Sequence, residues 1–537
     1  MSTFTGKLVG CSLILGPPLA ITLISLNNPR FLIDTSKTAL VIISFLYYWI
    51  VKQVLLVLRS PLLSIPSVPG TAWILGDVVA AEKKPTGSSQ KEWIDTIENS
   101  GLVRFFGFFC MSPTLLVTTT DGLHDVLLKT PYDFCKPDMQ RTFLERITGR
   151  GLIAVEDNEH KLQRKIVTPA FSGRHIRDLT KIFWSKSQDV ANAIAGELVK
   201  DQDEKFRTGI VEVNQWASRA TLDIIGLACV GRDFDAIYNS DNEFVKQYDK
   251  VLKAEQGNPI LISFLTYLIP DYVLRWVPIF EPIRQASEGR YQLRPLSRKL
   301  IETKRRDMET ESEKHVDILS VLISSGQLSD DELVDQVRTF LVAGHETTSA
   351  AFTWICWLLA TNATVQSRLR GELLDHFPIR QNSEIDASSF EGLLYLNAVI
   401  DEQLRLIPPV PMTIREAVHD TVITGQHVPK GTRVLICPWA INRSQKIWGT
   451  DAEEFKPERW LNGQSPHPAG LLSVLTFLHG PRSCIGQTFS RAELKCLVVS
   501  MVTRFELQMA DPDEVIEPAG LITIKPKHGL RLRLREL

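Results

Sequence analysis

The stretch Phe477-Leu-His-Gly-Pro-Arg-Ser-Cys484-Ile-Gly486 decides the fold, because it presents one cysteine on a tight loop flanked by glycines. Phe477, Gly480, Arg482, Cys484 and Gly486 fill the five fixed places of the spacing F-x-x-G-x-R-x-C-x-G. At average residue usage, the chance of that pattern in a chain this long is on the order of 10⁻⁴. Gly480 and Gly486 allow backbone conformations and close approaches that a Cβ would forbid. The run Gln487-Thr-Phe-Ser-Arg-Ala-Glu-Leu-Lys-Cys-Leu-Val-Val-Ser500 reads as a helix. Its N-terminus points amide dipoles at the sulfur, which favours thiolate over thiol. A lone cysteine is ordinarily a buried apolar filler; the joint spacing sets this one apart.

A thiolate held in this way suits a haem iron, to which it donates electron density. The loop resembles the haem-binding loop of the cytochrome P-450 family. That resemblance implies a heme b (iron protoporphyrin IX) with Cys484 as its axial iron ligand, Arg482 on a propionate and Phe477 beside the sulfur. It also implies a mostly α fold with small β-sheets, the cytochrome P-450 fold, for the domain spanning 71–537.

The rest of the chain fits that expectation. Apolar periodicity predicts helices over 157–171, 174–199, 211–230, 241–256, 284–312, 330–362, 363–376, 388–406 and 484–505. Strands are expected within 102–119, 411–436 and 519–535. Leu530-Arg-Leu-Arg-Leu-Arg535 alternates with period two and reads as an edge strand with a solvated face.

Phe340-Leu-Val-Ala-Gly-His-Glu-Thr-Thr-Ser349 lies within the long helical run 330–362. Gly344 costs ~1 kcal/mol against alanine in a helix. It predicts a bulge here, with a threonine hydroxyl turned into the groove. Glu346 beside Thr347 is an acid–alcohol pair able to relay protons to dioxygen. Alone, A-G-x-E-T reads more readily as a kinked core helix with a surface glutamate. Upstream of the cysteine loop it resembles the family's distal helix, which implies catalytic roles for Glu346 and Thr347.

Asp401-Glu-Gln-Leu-Arg-Leu406 sets Glu402 and Arg405 three apart on one helix face. Such pairs are common, and exposed ones contribute ~0.5 kcal/mol or less. Phe455-Lys-Pro-Glu-Arg-Trp460 stands some fifty residues downstream, and the resemblance puts Arg459 onto Glu402 and Arg405 as a buried structural triad. In Glu159-His-Lys-Leu-Gln-Arg164 the four-residue spacing stacks His160 and Arg164 on one face. The family usually carries tryptophan where His160 stands. The resemblance implies propionate contacts from His160, Arg164 and Arg415.

Composition bounds the remaining choices. The chain has 537 residues, 44% hydrophobic and 23% charged, with a net charge of −2. No basic excess points to a nucleic-acid partner. Eight cysteines, at 11, 110, 135, 229, 356, 437, 484 and 496, show no paired or metal-type spacing, which suits reduced thiols on the cytosolic side of a membrane. Leu8 to Leu26 has no charge, and Thr38 to Leu58 has only Lys52. Each approaches the ~20 residues that span a bilayer. Residues 1–59 therefore read as an N-terminal membrane anchor of one or two transmembrane helices (8–26 and 38–58). Pro61, Pro66 and Pro69 make 60–70 a stiff proline-rich hinge.

Fungal membrane-bound members of the family are the most similar in style. The resemblance implies a monooxygenase at the endoplasmic reticulum, fed by an NADPH-cytochrome P-450 reductase and possible cytochrome b5, using O2 and a hydrophobic small molecule. Lys161, Lys165 and Lys495 are candidates for the docking face. The resemblance implies pocket-lining segments near 137–152, Pro259–Phe280, Ala343–Thr347, Val410–Thr413 and Ala519–Thr523, and the apolar ones among them favour a hydrophobic substrate. Terpenoid, steroid, fatty-acid and polyketide oxidation all fit. Two rival readings are a same-fold peroxide isomerase or dehydratase and a non-enzymatic haem-binding sensor or scaffold.

Overall fold

The computed structural model describes residues 60–70, 76–81, 85–107, 113–200, 206–239, 281–310, 316–377, 385–461, 470–520 and 522–537, with a few positions between 43 and 55 and between 246 and 273. The segment 8–26, most of 38–58, nearly all of the expected helix 241–256 and of the Pro259–Phe280 stretch lie outside the described residues. Among the described residues, no helix is long and apolar enough to cross a membrane.

The main helices in chain order are α1 (Ser88–Thr96), α2 (Asp138–Thr148), α3 (Asp157–Val167), α4 (Gly173–Glu197), α5 (Val213–Ile225), α6 (Glu281–Thr310), α7 (Ile318–Ser325), α8 (Asp330–Thr361), α9 (Ala363–His376), α10 (Leu394–Leu406) and α11 (Gln487–Arg504). Periodicity does not predict α1, α2 or α7; α1 and α7 are too short to display several turns of a stripe. Helix α8 opens on a reciprocal cap: Glu332 N–H donates to Ser329 Oγ at 3.4 Å, and Ser329 N–H donates to the Glu332 carboxylate at 2.8 Å. Asp330, Asp331 and Glu332 fill its first turn, where the helix dipole favours negative charge. Beyond that turn most of the helix is buried, and α8 packs against α5, α6 and α11.

The bulge expected at Gly344 is absent, since α8 runs unbroken through it. Glycine serves packing instead. A Cβ there would stand 2.8 Å from Ile225 Cδ1, so α5 crosses closely enough that a side chain would have to displace the end of Ile225. The Thr347 hydroxyl donates back to the Ala343 carbonyl at 2.7 Å, the ordinary threonine bond within a helix.

The strands are β1 (Leu102–Phe106), β2 (Pro113–Val117), β3 (Phe134–Cys135), β4 (Val199–Lys200), β5 (Arg207–Glu212), β6 (Thr413–Ala417), β7 (Thr421–Ile423), β8 (Gln426–Val428), β9 (Arg433–Ile436), β10 (Phe505–Met509), β11 (Pro518–Ala519), β12 (Lys525–Pro526) and β13 (Arg531–Glu536). One sheet has the order β1-β2-β9-β6-β3, with β2 and β9 parallel. Another has the antiparallel order β10-β13-β5-β4. Strand β13 is therefore interior, flanked by β10 and β5, and not the expected edge. Leu532 and Leu534 are buried while Arg531 and Arg533 are exposed. Alternation reports which face is wet and is silent on neighbours along the sheet.

Residues 60–70 do not stand free as a linker. Leu62, Ile65 and Val68 are buried. Val68 N–H donates to Arg104 O at 3.1 Å, and Arg104 N–H to Pro66 O at 2.8 Å, so the segment docks beside β1. It belongs to an apolar cluster built around the five-stranded sheet. A larger cluster fills the space between the helices. The cysteine loop sits where they meet: Phe477 and Ile485 pack on the helical cluster, Leu475 and Leu478 on the sheet side.

Candidate active site

Cys484 N–H donates to Phe477 O at 2.8 Å and closes the loop across its base. Gly480 has φ +77, and a Cβ there would stand 2.1 Å from Leu127 O, so both backbone shape and space demand glycine. Leu478 adopts φ 54 without being glycine, a costly conformation of the kind found at functional loops. Gly486 differs from expectation. Its φ is −84, and a Cβ would meet only Cys484 Sγ at 3.8 Å. Its contribution is electrostatic: the Gly486 N–H bonds to the Cys484 sulfur.

Cys484 is exposed on one face, although protein crowds its wider surroundings. Burial pushes the Cys484 thiol up, outweighing the Gly486 N–H and the Arg164 charge that favour thiolate. The N–H at the start of α11 favours thiolate as the sequence predicts, joined by Arg164, and desolvation opposes both. Arg164, on α3, donates Nη1 to Ser483 O at 2.6 Å, which fixes its guanidinium beside the sulfur.

Beyond the loop lies a cluster of cations around one acid. Arg482 donates to Pro131 O, Phe134 O and the Glu156 carboxylate. Lys136 Nζ lies 3.0 Å from Glu156 Oε1. Arg415 is buried and donates to Thr413 Oγ1 at 2.8 Å and Ile414 O at 2.9 Å. Burial and the neighbouring Arg482 lower Arg415 to about 10, and burial with Arg415 lowers Lys136 to about 8. Burial would raise Glu156, but Lys136 and Arg482 hold its carboxyl below the usual range.

His160 is buried, with Nδ1 3.2 Å from the Tyr132 hydroxyl. Burial and Arg482 lower it to about 4, so it enters the cluster as a neutral ring. Sequence reasoning misses Lys136, Tyr132 and Glu156. Glu156 had a signal, standing four residues before His160 and eight before Arg164 at the start of their helix. A single lysine or tyrosine carries none.

Glu402, Arg405 and Arg459 come together. Arg405 clasps Glu402 through Nε at 2.8 Å and Nη2 at 2.9 Å, and Arg459 Nε reaches Glu402 Oε1 at 2.8 Å. Trp460 Nε1 at 2.9 Å and Lys456 N–H at 3.0 Å complete the carboxylate. Arg405 Nη1 also donates to Asn442 O and Ala452 O, which ties α10 to the approach to the cysteine loop.

Glu346 and Thr347 are adjacent on α8 but point to different partners. Glu346 is buried, which excludes a surface glutamate. Its Oε2 pairs with Lys525 Nζ at 2.7 Å and accepts from Thr523 Oγ1 at 3.2 Å. His345 Nδ1 lies 3.6 Å from Oε1, and its Nε2 is 2.8 Å from Ser218 Oγ on α5. Burial alone would raise Glu346; Lys525, His345 and the hydrogen bonds from Lys525 and Thr523 hold it below the usual carboxylate range.

These residues fit a thiolate-ligated haem. Arg482 Nε is a buried N–H without a partner among the described residues, and Arg164, Arg415, Arg482 and Lys136 outnumber the one acid among them. A pair of haem propionates would balance that charge, and the open Cys484 sulfur would take the iron. The fold and site thus define a haem-thiolate class of enzyme. The sequence model of the family described as Cytochrome P450 matches residues 66–532, and the chain belongs to that family. It is similar to the cytochrome P450 monooxygenase sphH of Aspergillus fumigatus, 37% identical over 88% of both chains. It is also similar to ALT8 of Alternaria alternata, 34% identical over 89% of this chain and 90% of that one. With FUM15 of Gibberella moniliformis it shares 33% identity over 89% of both. The relatives carry the name cytochrome P450 monooxygenase, and the chain is an oxidoreductase of that kind.

Proposed function

We propose that the chain inserts one oxygen atom from O2 into a lipophilic small molecule, a terpenoid or other secondary metabolite, with electrons from an NADPH-cytochrome P450 reductase. The observation that carries this reading is the Cys484 sulfur, exposed on a closed loop between Arg164 and the N-terminus of α11. Cys484 would hold a heme b, and Arg164, Arg415 and Arg482 would take its propionates. When bound, that group supplies the oxygen activation. Neutral His160, with Tyr132, would offer hydrogen bonds there and no charge.

Thr347 Oγ1 would hold a proton for the reaction, and the ionised Glu346 carboxylate would accept protons and pass them on. That pair also weighs against a peroxide isomerase, whose chemistry needs no proton delivery. The apolar character of Val410–Thr413 and Ala519–Thr523 supports a hydrophobic substrate. The uncharged run Leu8 to Leu26 supports membrane anchoring. Free cysteines among the described residues suit a domain facing the cytosol of the endoplasmic reticulum.

Reduction of the purified protein under carbon monoxide tests the reading. The parent should give the thiolate-type absorption shift, and Cys484→Ala should lose both that shift and NADPH-driven oxygenation. A thiolate-type spectrum that survives Cys484→Ala overturns the assignment. Titration of terpenes, steroids and fatty acids against the iron spin state then separates the substrate classes.

A further inference from the structure

His160 enters the cation cluster as a ring without charge, so it has a single N–H to place. It stands on α3 and is 4% exposed. Burial, Arg482, Lys136 and Arg164 lower it to about 4, with Glu156 pulling the other way. A neutral imidazole donates from one nitrogen and accepts at the other. A carboxylate only accepts, so the ring serves it from the nitrogen that carries the proton. Nδ1 lies 3.2 Å from the Tyr132 hydroxyl, and Nε2 has no hydrogen-bond partner among the described residues.

Tyr132 is held firmly enough to decide between the two nitrogens. It is the middle residue of the turn Pro131–Asp133. Pro131 O accepts from Arg482, and Asp133 O accepts from Val418 N–H at 2.9 Å, so both flanks are tied. The Asp133 carboxylate accepts from Thr421 Oγ1 at 3.2 Å and lies 3.2 Å from His419 Nε2. Two cations rest on the ring, with Lys161 Nζ 4.3 Å and Arg482 Cζ 4.7 Å from its centroid. Burial raises the phenol above its ordinary value, with Arg482 opposing, so it keeps a proton to donate.

We propose that Tyr132 is a positioning residue: its O–H donates to His160 Nδ1 and fixes the ring with its proton on Nε2, where a haem propionate can use it. The inference rests on the reading that Cys484 holds a haem whose propionates meet this cluster. A ring protonated on Nδ1 would set a lone pair against the anion and leave the phenol without its acceptor. The hydrogen bond at one histidine nitrogen sets what the other can do. No charge changes hands, because the bond only selects one of two neutral forms. An indole at the same place would need no such help, since it has one N–H and no second nitrogen.

The test compares the holoenzyme with Tyr132→Phe, His160→Trp and Tyr132→Phe/His160→Trp. Histidine is labelled with nitrogen-15 and the protein is reduced under carbon monoxide; the His160 resonances are those lost in His160→Trp. The parent should show a protonated Nε2 and an unprotonated Nδ1 shifted by its hydrogen bond. Tyr132→Phe should lose that shift or populate both neutral forms. Identical resonances in parent and Tyr132→Phe overturn the proposal, as does a parent protonated on Nδ1. Release of haem to apomyoglobin reads the consequence. Tyr132→Phe should speed it on the order of tenfold, and the same change should have no effect in the His160→Trp background. Equal acceleration in both backgrounds assigns the ring to packing alone and overturns the role through His160. Should His160→Trp fail to fold, His160→Gln assigns the resonances and those of Tyr132→Phe decide. Failure of the haem reading shows separately, as a missing thiolate-type absorption in the parent, and the resonances of the unloaded chain then decide the bond between Tyr132 and His160.

Discussion

Glu402 shows how a single residue couples the local spacing of a sequence to its global order. Its side chain has no exposed surface, and two arginines, an indole N–H and a backbone N–H converge on it. Removing one partner from such a set leaves buried charge uncompensated and costs ~3–5 kcal/mol. Glu402→Ala should therefore give protein that is largely insoluble and free of haem, measured as soluble yield and haem absorbance per chain. Normal recovery of coloured protein would falsify that role for the triad. The triad was legible because Glu402 and Arg405 share a helix turn and Arg459 stands in a recognisable P-E-R-W. Lys525 was not legible: it meets Glu346 across 179 positions, and no local pattern marks a lone lysine on a two-residue strand. Lys136 was hidden for the same reason, since a charged residue's meaning lies in partners that only the fold supplies.

Helix α8 shows which features of an element its sequence discloses. Length, cap and direction of burial follow from Ser329, Glu332 and the apolar run. Its local shape at Gly344 does not, because the same glycine permits either a bulge or the close crossing of α5, and only the neighbour Ile225 decides between them. That crossing also buries His345, which burial lowers to about 4 against an ordinary value of 6.5, with Glu346 pulling upward and Lys525 downward. A depressed histidine binds fewer protons in the folded chain than in the unfolded one between those values. Its contribution to stability is thus complete above about pH 6.5 and is lost as the pH falls toward about 4. The loss from His345 is on the order of 3 kcal/mol. Urea midpoints taken across that window should fall with acid, and His345→Gln should flatten the slope. A His345→Gln profile as steep as the parent's would place the acid sensitivity elsewhere.

At the scale of the molecule, the cysteine loop occupies the seam between a helical core and a sheet-centred one, so reduction of whatever Cys484 holds depends on the surface that covers that seam. Two helices border it: α3, whose Arg164 bonds Ser483 O, and α11, which starts just after Gly486. Lys161 and Lys165 are exposed on α3, and Lys161 Nζ sits 4.3 Å over the Tyr132 ring, which holds it at the border of the site. Lys495 is less open, and burial with Arg491 lowers its ammonium from the usual value. Together with Arg177 and Arg491 it lines a depression between α4 and α11, two arginines that spacing did not single out. A partner presenting acidic groups would be drawn to this basic rim, and steering of that kind weakens as salt rises. Lys161→Glu with Lys165→Glu should slow reduction by an NADPH-dependent flavoprotein reductase on the order of tenfold at low ionic strength, with the difference shrinking as salt is added. Chemical reduction by dithionite should proceed as in the parent, because that route needs no docking. Equal reductase-driven rates for parent and variant at every salt concentration would move the docking surface away from α3.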